Sequence, residues 1–227
     1  MLTLRSVNAG YGAVQILRDV DLQVAPGEVV SLVGRNGVGK STTLKAIVGL
    51  ADVWSGEIQI GERDLRKEQP AGMAALGVGY VAQEREVCPD LTVEENLRLP
   101  LYATGRPLDR VEPIFDRFPR LRERARQRAG SLSGGERKLL AFARIMLLEP
   151  ATYLVDEPTE GLMPSAVAEI AALLAKLSTD GAAILLVEQN LDLVHELSDR
   201  IYLMNIGRIE KCTGRLDEDD VTRYLGV

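Results

Sequence analysis

The chain has 227 residues, which is enough for one large domain or for a domain with an inserted lobe. Hydrophobic residues make up 46% and charged residues 26%, proportions typical of a folded globular protein rather than of a disordered one. The formal net charge of −6 disfavours, without excluding, a protein that coats nucleic acid, because nucleic-acid phosphates favour a basic surface.

The cysteine content and the hydropathy indicate a protein of the reducing cytosol. The two cysteines, Cys88 and Cys212, form no spacing motif, which argues against a disulfide framework and against a cysteine-bound metal. No stretch approaches the roughly 20 apolar residues that a transmembrane helix requires. The N-terminal sequence MLTLRSVNAG lacks the pattern of a signal peptide. We therefore expect a soluble, cytosolic chain that is not itself a channel.

The N-terminal quarter of the chain reads as short strands separated by glycine and proline. Apolar residues alternate partially from residue 2 to about residue 60. The continuous apolar run from Val29 to Val33 leads into a glycine-rich loop and then into a helical stretch. Such a run is typical of a strand that is buried on both faces, so we expect a buried strand that feeds directly into a helix.

The middle of the chain, from about residue 84 to residue 148, has the character of a helical insertion. Thr92 with Glu95, and Ser133 with Glu136, match the capping box that begins a helix. After the second box, apolar residues recur at the spacing of one helix face. The residues on this face are Leu139, Phe142, Ala143 and Met146.

From residue 151 onward, the pattern alternates between strands and helices. Residues 153–155, 184–187 and 201–206 are β-rich apolar runs, and the first two are separated by a helical pattern. Strand–helix–strand alternation argues for a mainly parallel sheet with helices packed on it. The acidic residues around 217–220 indicate a short capping helix or tail. The predicted helix face between the first two runs consists of Val167, Ile170, Leu174 and Leu177.

A glycine-rich segment, residues 34–41, matches the pattern G-x-x-x-x-G-K-[ST] at every fixed position. Glycines let the backbone curl so that several N–H groups face one anion, and the following helix directs its positive end there. Lys40 adds a cation for the outer phosphates, Ser41 can bind Mg²⁺, and Thr42 can reach an inner phosphate. The strand–loop–helix setting argues against the alternative, a glycine-rich turn with an incidental lysine. The predicted nucleotide-binding residues here are Gly34, Arg35, Asn36, Gly37, Val38, Gly39, Lys40, Ser41 and Thr42.

Two adjacent acids, Asp156 and Glu157, follow an apolar strand. Parallel sheets place their ligands at the carboxyl ends of strands, which is where this pair lies. We expect Asp156 to hold Mg²⁺, directly or through water, and Glu157 to accept a proton from an attacking water. The alternative is a strand that ends in a solvated turn, and the nearby phosphate loop argues against it.

A third motif decides among the nucleotide-binding families, because phosphate loops occur in kinases, GTPases and many ATPases. Residues 132–136, Leu-Ser-Gly-Gly-Glu, resemble the signature motif of ABC-transporter ATPases. Small residues that open a helix let a second anion approach the backbone N–H groups. The resemblance implies that Ser133, Gly134, Gly135 and Glu136 serve a nucleotide held by a second copy. A simple capping box is the alternative, and it is compatible, because the same cap builds the helix end.

The resemblance covers essentially the whole chain and implies an α/β fold, a P-loop NTPase with a mainly parallel core sheet. It further implies an antiparallel β subdomain and a helical insertion, all within one domain over residues 1–227. The nucleotide-binding core and β subdomain would span about 1–83 and 149–227, and the helical subdomain about 84–148. Gln83 has the position of the family's glutamine that senses Mg²⁺ and contacts the membrane partner. Tyr11 has that of an aromatic residue that stacks on adenine.

Two positions depart from the family pattern. Gln189 stands where the family usually has a histidine that contacts the γ-phosphate, and an amide can donate a hydrogen bond but carries no charge. The single histidine, His195, reads as a helix-surface residue. Residues 160–163 read Glu-Gly-Leu-Met where the family often has Ser-Ala-Leu-Asp, so no aspartate role is carried over. These stretches look like the subgroup that serves importers of branched-chain amino acids, related amides and urea.

The resemblance implies a peripheral ATPase on the cytoplasmic face of the membrane that uses ATP and Mg²⁺. It implies a head-to-tail second ATPase subunit, identical or similar, separate transmembrane permease subunits and, indirectly, a solute-binding protein, but no nucleic acid. The implied catalytic residues are Glu157, Gln189 and Lys40, and the implied metal-binding residues are Ser41, Gln83 and Asp156.

The sequence leaves four alternatives open. The first two are the ATPase of a related amide or urea importer and that of another ABC transporter. The third is a soluble ABC ATPase that acts on nucleic acid or ribosomes, against which the net charge of −6 weighs. The fourth is a non-hydrolysing regulatory module, against which the intact pair Asp156 and Glu157 weighs.

Overall fold

The computed structural model describes residues 1–83 and 87–226, which form two β-sheets and the helices packed around them. The strands are β1 Leu2–Tyr11, β2 Val14–Val24, β3 Val29–Val33, β4 Asp52–Ile60, β5 Arg63–Asp64, β6 Val78–Val81, β7 Thr152–Asp156, β8 Ala183–Val187, β9 Arg200–Asn205 and β10 Arg208–Thr213. The helices are α1 Lys40–Ile47, α2 Val93–Thr104, α3 Val111–Arg117, α4 Pro119–Glu123, α5 Gly134–Met146, α6 Pro164–Thr179, α7 Leu191–Leu197 and α8 Glu218–Tyr224. The predicted helical segment begins at about residue 84, and residues 84–86 lie outside the described residues.

The larger sheet has the strand order β10-β9-β3-β8-β7-β6. Its strands pair in parallel except for β10, which runs antiparallel to β9. Every residue of β3, β7 and β8 is buried, because helices or the second sheet cover both faces. This burial explains the continuous apolar runs and confirms the prediction of a mainly parallel sheet.

The smaller sheet is antiparallel, with the order β2-β1-β4-β5. Its apolar side chains join one buried cluster with those of the larger sheet, for example Leu4 and Leu22 with Val30 and Leu185. The predicted strands are short, but β1 and β2 are 10 and 11 residues long. Register shifts between paired residues interrupt the alternation, so one long strand reads as several short ones.

The helices α2, α5 and α6 pack on the other face of the larger sheet, in a second buried cluster. Both predicted capping boxes are confirmed, because Thr92 Oγ1 accepts from the Glu95 amide at 3.2 Å and Ser133 Oγ from the Glu136 amide at 3.3 Å. Along residues 1–83 and 87–226, every helix is too short or too polar to cross a bilayer. The predicted helix faces are buried at Leu139, Phe142, Ala143, Met146, Ile170, Leu174 and Leu177, whereas Val167 in the first turn of α6 is half-buried.

The sequence leaves a short helix or a tail open for the acidic C-terminal stretch, and the structure has the helix, α8. Asp217 caps this helix by accepting a hydrogen bond from the Asp220 amide at 2.8 Å. Asp220 is buried and accepts from Lys211 Nζ at 2.6 Å, so the stretch is anchored to β10 rather than left as a solvated tail.

Four neighbouring strands end at the same edge of the larger sheet. In spatial order these are β3, β8, β7 and β6, and all four run parallel. The segments that follow them begin at residues 34, 188, 157 and 82. Ligands of parallel sheets bind beyond the carboxyl ends of the strands, so this topology brings together the segments that carry the predicted site.

Candidate nucleotide-binding site

The loop between β3 and α1 has a backbone that requires glycine. Gly37 and Gly39 have φ angles of 81° and 115°, in a region that residues with a side chain rarely adopt. Gly39 is also the N-cap of α1, so the helix starts directly at the loop. The loop lines a cleft of about 330 Å³ with Asn36, Gly37, Gly39, Lys40, Ser41, Thr42, Ile16, Gln83, Glu157 and Glu160.

Lys40 is the first residue of α1, and its ammonium group is buried inside the loop. Its Nζ donates to the carbonyl oxygens of Gly34 at 2.8 Å and Arg35 at 3.1 Å, and it lies 3.6 Å from Glu157 Oε1. Only 4% of the residue is exposed, and burial lowers the pKa of the ammonium group. The pKa is lowered even though the carboxylates of Glu157, Asp156 and Glu188 act to raise it, so the ammonium group fits a site for an added anion.

Asp156 and Ser41 form an oxygen pair beside the loop. Ser41 Oγ donates to Asp156 Oδ1 at 2.9 Å, and the Tyr80 hydroxyl donates to Asp156 Oδ2 at 3.3 Å. Burial raises the pKa of Asp156, which reflects the cost of a carboxylate held away from water. In the part of the chain that the structure describes, no cluster of three or more acidic, histidine or cysteine residues could hold a metal ion.

This oxygen pair fits Mg²⁺ only together with a phosphate ligand. Mg²⁺ usually takes one or two protein oxygens and completes its shell with water and substrate phosphates. A hydroxyl and a carboxylate next to a phosphate loop are the donors that this arrangement needs. Tyr80, which holds the second oxygen of Asp156, was not predicted from the sequence.

Glu157 connects three of the predicted residues. Its Oε1 accepts from Gln189 Nε2 at 2.7 Å and its Oε2 from Gln83 Nε2 at 3.0 Å, while Lys40 lies on the side of Oε1. The backbone of Glu157 has a φ of 44°, and its amide donates to Val187 O at 2.8 Å. Both oxygens are therefore held by neutral amide donors, and the side chain is buried at the edge of the cleft.

Gln83 joins two carboxylates rather than one. Its Nε2 donates to Glu157 Oε2 at 3.0 Å and also to Glu160 Oε2 at 2.6 Å. Glu160 was not predicted as a site residue, although it lies in the Glu-Gly-Leu-Met stretch that departs from the family pattern. The departure is therefore a signal that could have identified it.

The signature residues 133–136 cap and begin α5, and none of them lines the cleft of the phosphate loop. Glu136 completes the capping box and accepts from Arg124 Nε at 2.5 Å. A Cβ atom on Gly135 would lie 2.8 Å from Ala166 Cβ, so this glycine is required for the packing of α5 against α6. A separate cleft of about 220 Å³ is lined by Ser133, Gly134, Gly135 and Glu136 together with residues of α6.

The chain does not bring every predicted residue to the phosphate loop. Among the described residues, those that line the loop cleft include no member of the signature. Tyr11 ends β1, has 42% of its surface exposed and does not line this cleft. His195 is exposed on α7, as predicted.

Comparison with known proteins agrees with this geometry. The family described as ABC transporter matches residues 17–160. The probable branched-chain amino acid transport ATP-binding protein LivF of Archaeoglobus fulgidus is 40% identical over 92% of this chain and 90% of its own length. The high-affinity branched-chain amino acid transport ATP-binding protein BraG of Pseudomonas aeruginosa is 37% identical over 92% of this chain and 91% of its own.

Solved structures give the same result. One described as the ATP-binding subunit of an ABC transporter has a TM-score of 0.83 and 31% identity, covering 100% of this chain and 93% of that one. A dimeric post-hydrolysis state of an ATP-binding cassette bound to ADP and Pi has a TM-score of 0.84 and 27% identity, covering 96% and 100%. The chain belongs to the ABC transporter family, as one of its ATP-binding ATPases.

Proposed function

We propose that the chain is the ATP-hydrolysing subunit that energises a membrane importer of branched-chain amino acids. The observation that carries the hydrolytic part is the position of Glu157, whose carboxylate lies 3.6 Å from Lys40 between two amide donors at the cleft. The solute is supported by the printed functions of LivF and BraG, at 40% and 37% identity.

ATP binding is assigned to the loop and to the start of α1. Backbone N–H groups of the loop and the positive end of the helix favour an anion at this point. When ATP binds, Lys40 Nζ would exchange its hydrogen bonds to carbonyl oxygens of the loop for contacts with the outer phosphates. Ser41 and Asp156 would hold Mg²⁺, with Gln83 nearby, and the ion supplies charge neutralisation on the phosphate oxygens.

Glu157 is assigned as the general base for the attacking water. A base must lie within hydrogen-bond reach of the proton it takes, and a carboxylate oriented by a partner is better placed than a mobile one. Gln189 and Gln83 provide this orientation, since each donates to one of the two carboxylate oxygens. Gln189 itself stays neutral, so it positions Glu157 and donates to phosphate oxygen without titrating.

We assign each complete ATP site to two subunits, because the signature and the phosphate loop line different clefts of one chain. In a head-to-tail pair, the start of α5 from one subunit would cover the nucleotide on the loop of the other. The dimeric relative with ADP and Pi supports this arrangement. The second subunit is identical or similar, and Tyr11 would stack on adenine.

We place this pair on the cytoplasmic face of the membrane, bound to separate permease subunits that receive solute from a binding protein. Closure on ATP and reopening after hydrolysis would shift the permease between two states. The contact with the permease is assigned to the region of Gln83 and the helical segment that follows it.

Reconstitution of the chain with its co-purifying membrane subunits tests this proposal. The expected result is ATP-dependent uptake of leucine, isoleucine or valine into vesicles, with no uptake when the chain carries Lys40→Ala. Uptake of an amide or of urea, with no uptake of the amino acids, would contradict the proposed solute. Co-purification with nucleic acid or ribosomes and without membrane proteins would contradict the importer function.

A further inference from the structure

Glu188 is a buried acid next to the site to which no part of the proposed chemistry gives a role. It follows β8 directly, and only 3% of it is exposed. Its Oε1 accepts from the Thr159 amide at 3.1 Å and from the Thr159 hydroxyl. Its Oε2 accepts from the amides of Gln189 at 2.6 Å and Asn190 at 2.9 Å.

These donors lie in the two turns that carry Glu157 and Gln189. Thr159 lies two residues after Glu157, and Gln189 is the residue that holds Glu157 Oε1. Buried carboxylates are retained where several donors satisfy them, and here the donors of both turns converge on one side chain. Glu188 therefore joins the turn after β7 to the turn after β8.

The turn after β7 needs such a connection because its backbone is strained. Glu157 has a φ of 44°, a conformation that a residue with a side chain adopts at a cost and that persists when the surroundings enforce it. On one side, the Glu157 amide is tied to Val187 O at 2.8 Å. On the other side, Thr159 is tied to Glu188.

We propose that Glu188 is a positioning residue for ATP hydrolysis. Its carboxylate keeps the strained turn at a set distance from Gln189, so that the Glu157 carboxylate points at the attacking water. Glu188 does not line the cleft of the phosphate loop, and it acts through Glu157 and Gln189. The inference rests on the proposed role of Glu157 as the base.

Substitution of Thr159 tests the connection with little change in shape. Thr159→Val removes the hydroxyl donor and keeps the volume, whereas Thr159→Ser keeps the hydroxyl and serves as the matched control. The steady-state kcat is measured on the full chain with MgATP and divided by the number of sites that bind a fluorescent ATP analogue. This division removes any loss of folded protein from the comparison.

Thr159→Val is expected to lower kcat per site about tenfold or more, the usual scale for a hydrogen bond to a charged group, with KM for ATP changed less than about twofold. Thr159→Ser is expected to retain most of kcat. Glu188→Gln, whose amide nitrogen meets donors on every side, should lower kcat further. When Glu188→Gln and Gln189→Ala are combined, the fall in kcat should be much smaller than the product of the falls in the two single variants.

Two results would overturn the proposal: an unchanged kcat per site in Thr159→Val, with any loss of activity confined to the number of folded sites, or an equal loss of kcat per site in Thr159→Ser. Each would leave Glu188 a purely structural residue. A chain that hydrolyses ATP but supports no amino-acid uptake would contradict the proposed solute, and the comparison of the Thr159 variants would still decide the role of Glu188.

Discussion

Replacement of Glu157 by glutamine separates nucleotide binding from hydrolysis. The change keeps the shape of the side chain and removes its charge, which lies 3.6 Å from Lys40 Nζ. At an effective dielectric constant of about 20, that attraction is about 4–5 kcal/mol, so in Glu157→Gln the ammonium group is freer to face a phosphate. Loss of a general base lowers the rate about 10²–10⁴-fold, which corresponds to about 3–5 kcal/mol in the barrier.

The expected result is therefore a large fall in kcat with a Kd for ATP that is unchanged or lower. Phosphate release measures the first quantity, and titration with a fluorescent ATP analogue measures the second. Glu160→Gln is the matched control, because Glu160 loses the same charge and also contacts Gln83, at 2.6 Å, without forming the Lys40 ion pair. Its kcat should fall far less. Equal kcat values in the two variants would show that Glu157 is not the base, and a Kd that rises in Glu157→Gln would show that its charge does not restrain Lys40.

Three further changes have defined outcomes. Gln189→His introduces a group with a pKa near 6.5, so the ratio of its kcat to that of the native chain should change with pH around that value, and a flat ratio would contradict the assignment. Asp156 has a pKa raised above 3.8 by burial, so its contribution to stability is present below pH 3.8 and is lost as the pH rises through the raised value. In Asp156→Asn, the free energy of unfolding, measured by denaturant titration without Mg²⁺ or nucleotide, should no longer fall over this pH range. An unchanged dependence of that free energy on pH would contradict this assignment. Gly135→Ala should destabilise the chain by about 1–3 kcal/mol through overpacking against Ala166, and Ala166→Gly in the same chain should restore part of it. Additive effects in thermal or denaturant unfolding would show that this contact is not the cause.

Local patterns in the sequence were sufficient for much of the architecture. The phosphate loop predicts a strand, a tight turn and the start of a helix, because its glycines and Lys40 can bind phosphate only between a strand and a helix. The two capping boxes are equally local, because donor and acceptor are three residues apart. The continuous apolar runs predict buried parallel strands, and β3, β7 and β8 are such strands.

Contacts between distant segments could not be predicted in this way. Tyr80 and Asp156 are 76 residues apart, and Gln83 and Glu160 are 77 apart, so their pairing depends on the order of the strands in the sheet. Glu188 is next to Gln189 in sequence, but its role depends on Thr159, which lies 29 residues away. In the sequence, an acid at the end of a strand cannot be distinguished from a surface acid, because its burial depends on the distant turn that packs against it.

The dependence of ATP hydrolysis on chain concentration tests whether two chains share each active site. A site built from the loop of one chain and the signature of another is complete only in the pair, so the population of active sites follows mass action. With MgATP in excess, we expect phosphate release per chain to rise with concentration until the pair is saturated, and we expect Lys40→Ala to abolish it at every concentration. Release per chain that stays constant over about a hundredfold dilution that spans dissociation of the pair, or that survives in Lys40→Ala, would contradict it.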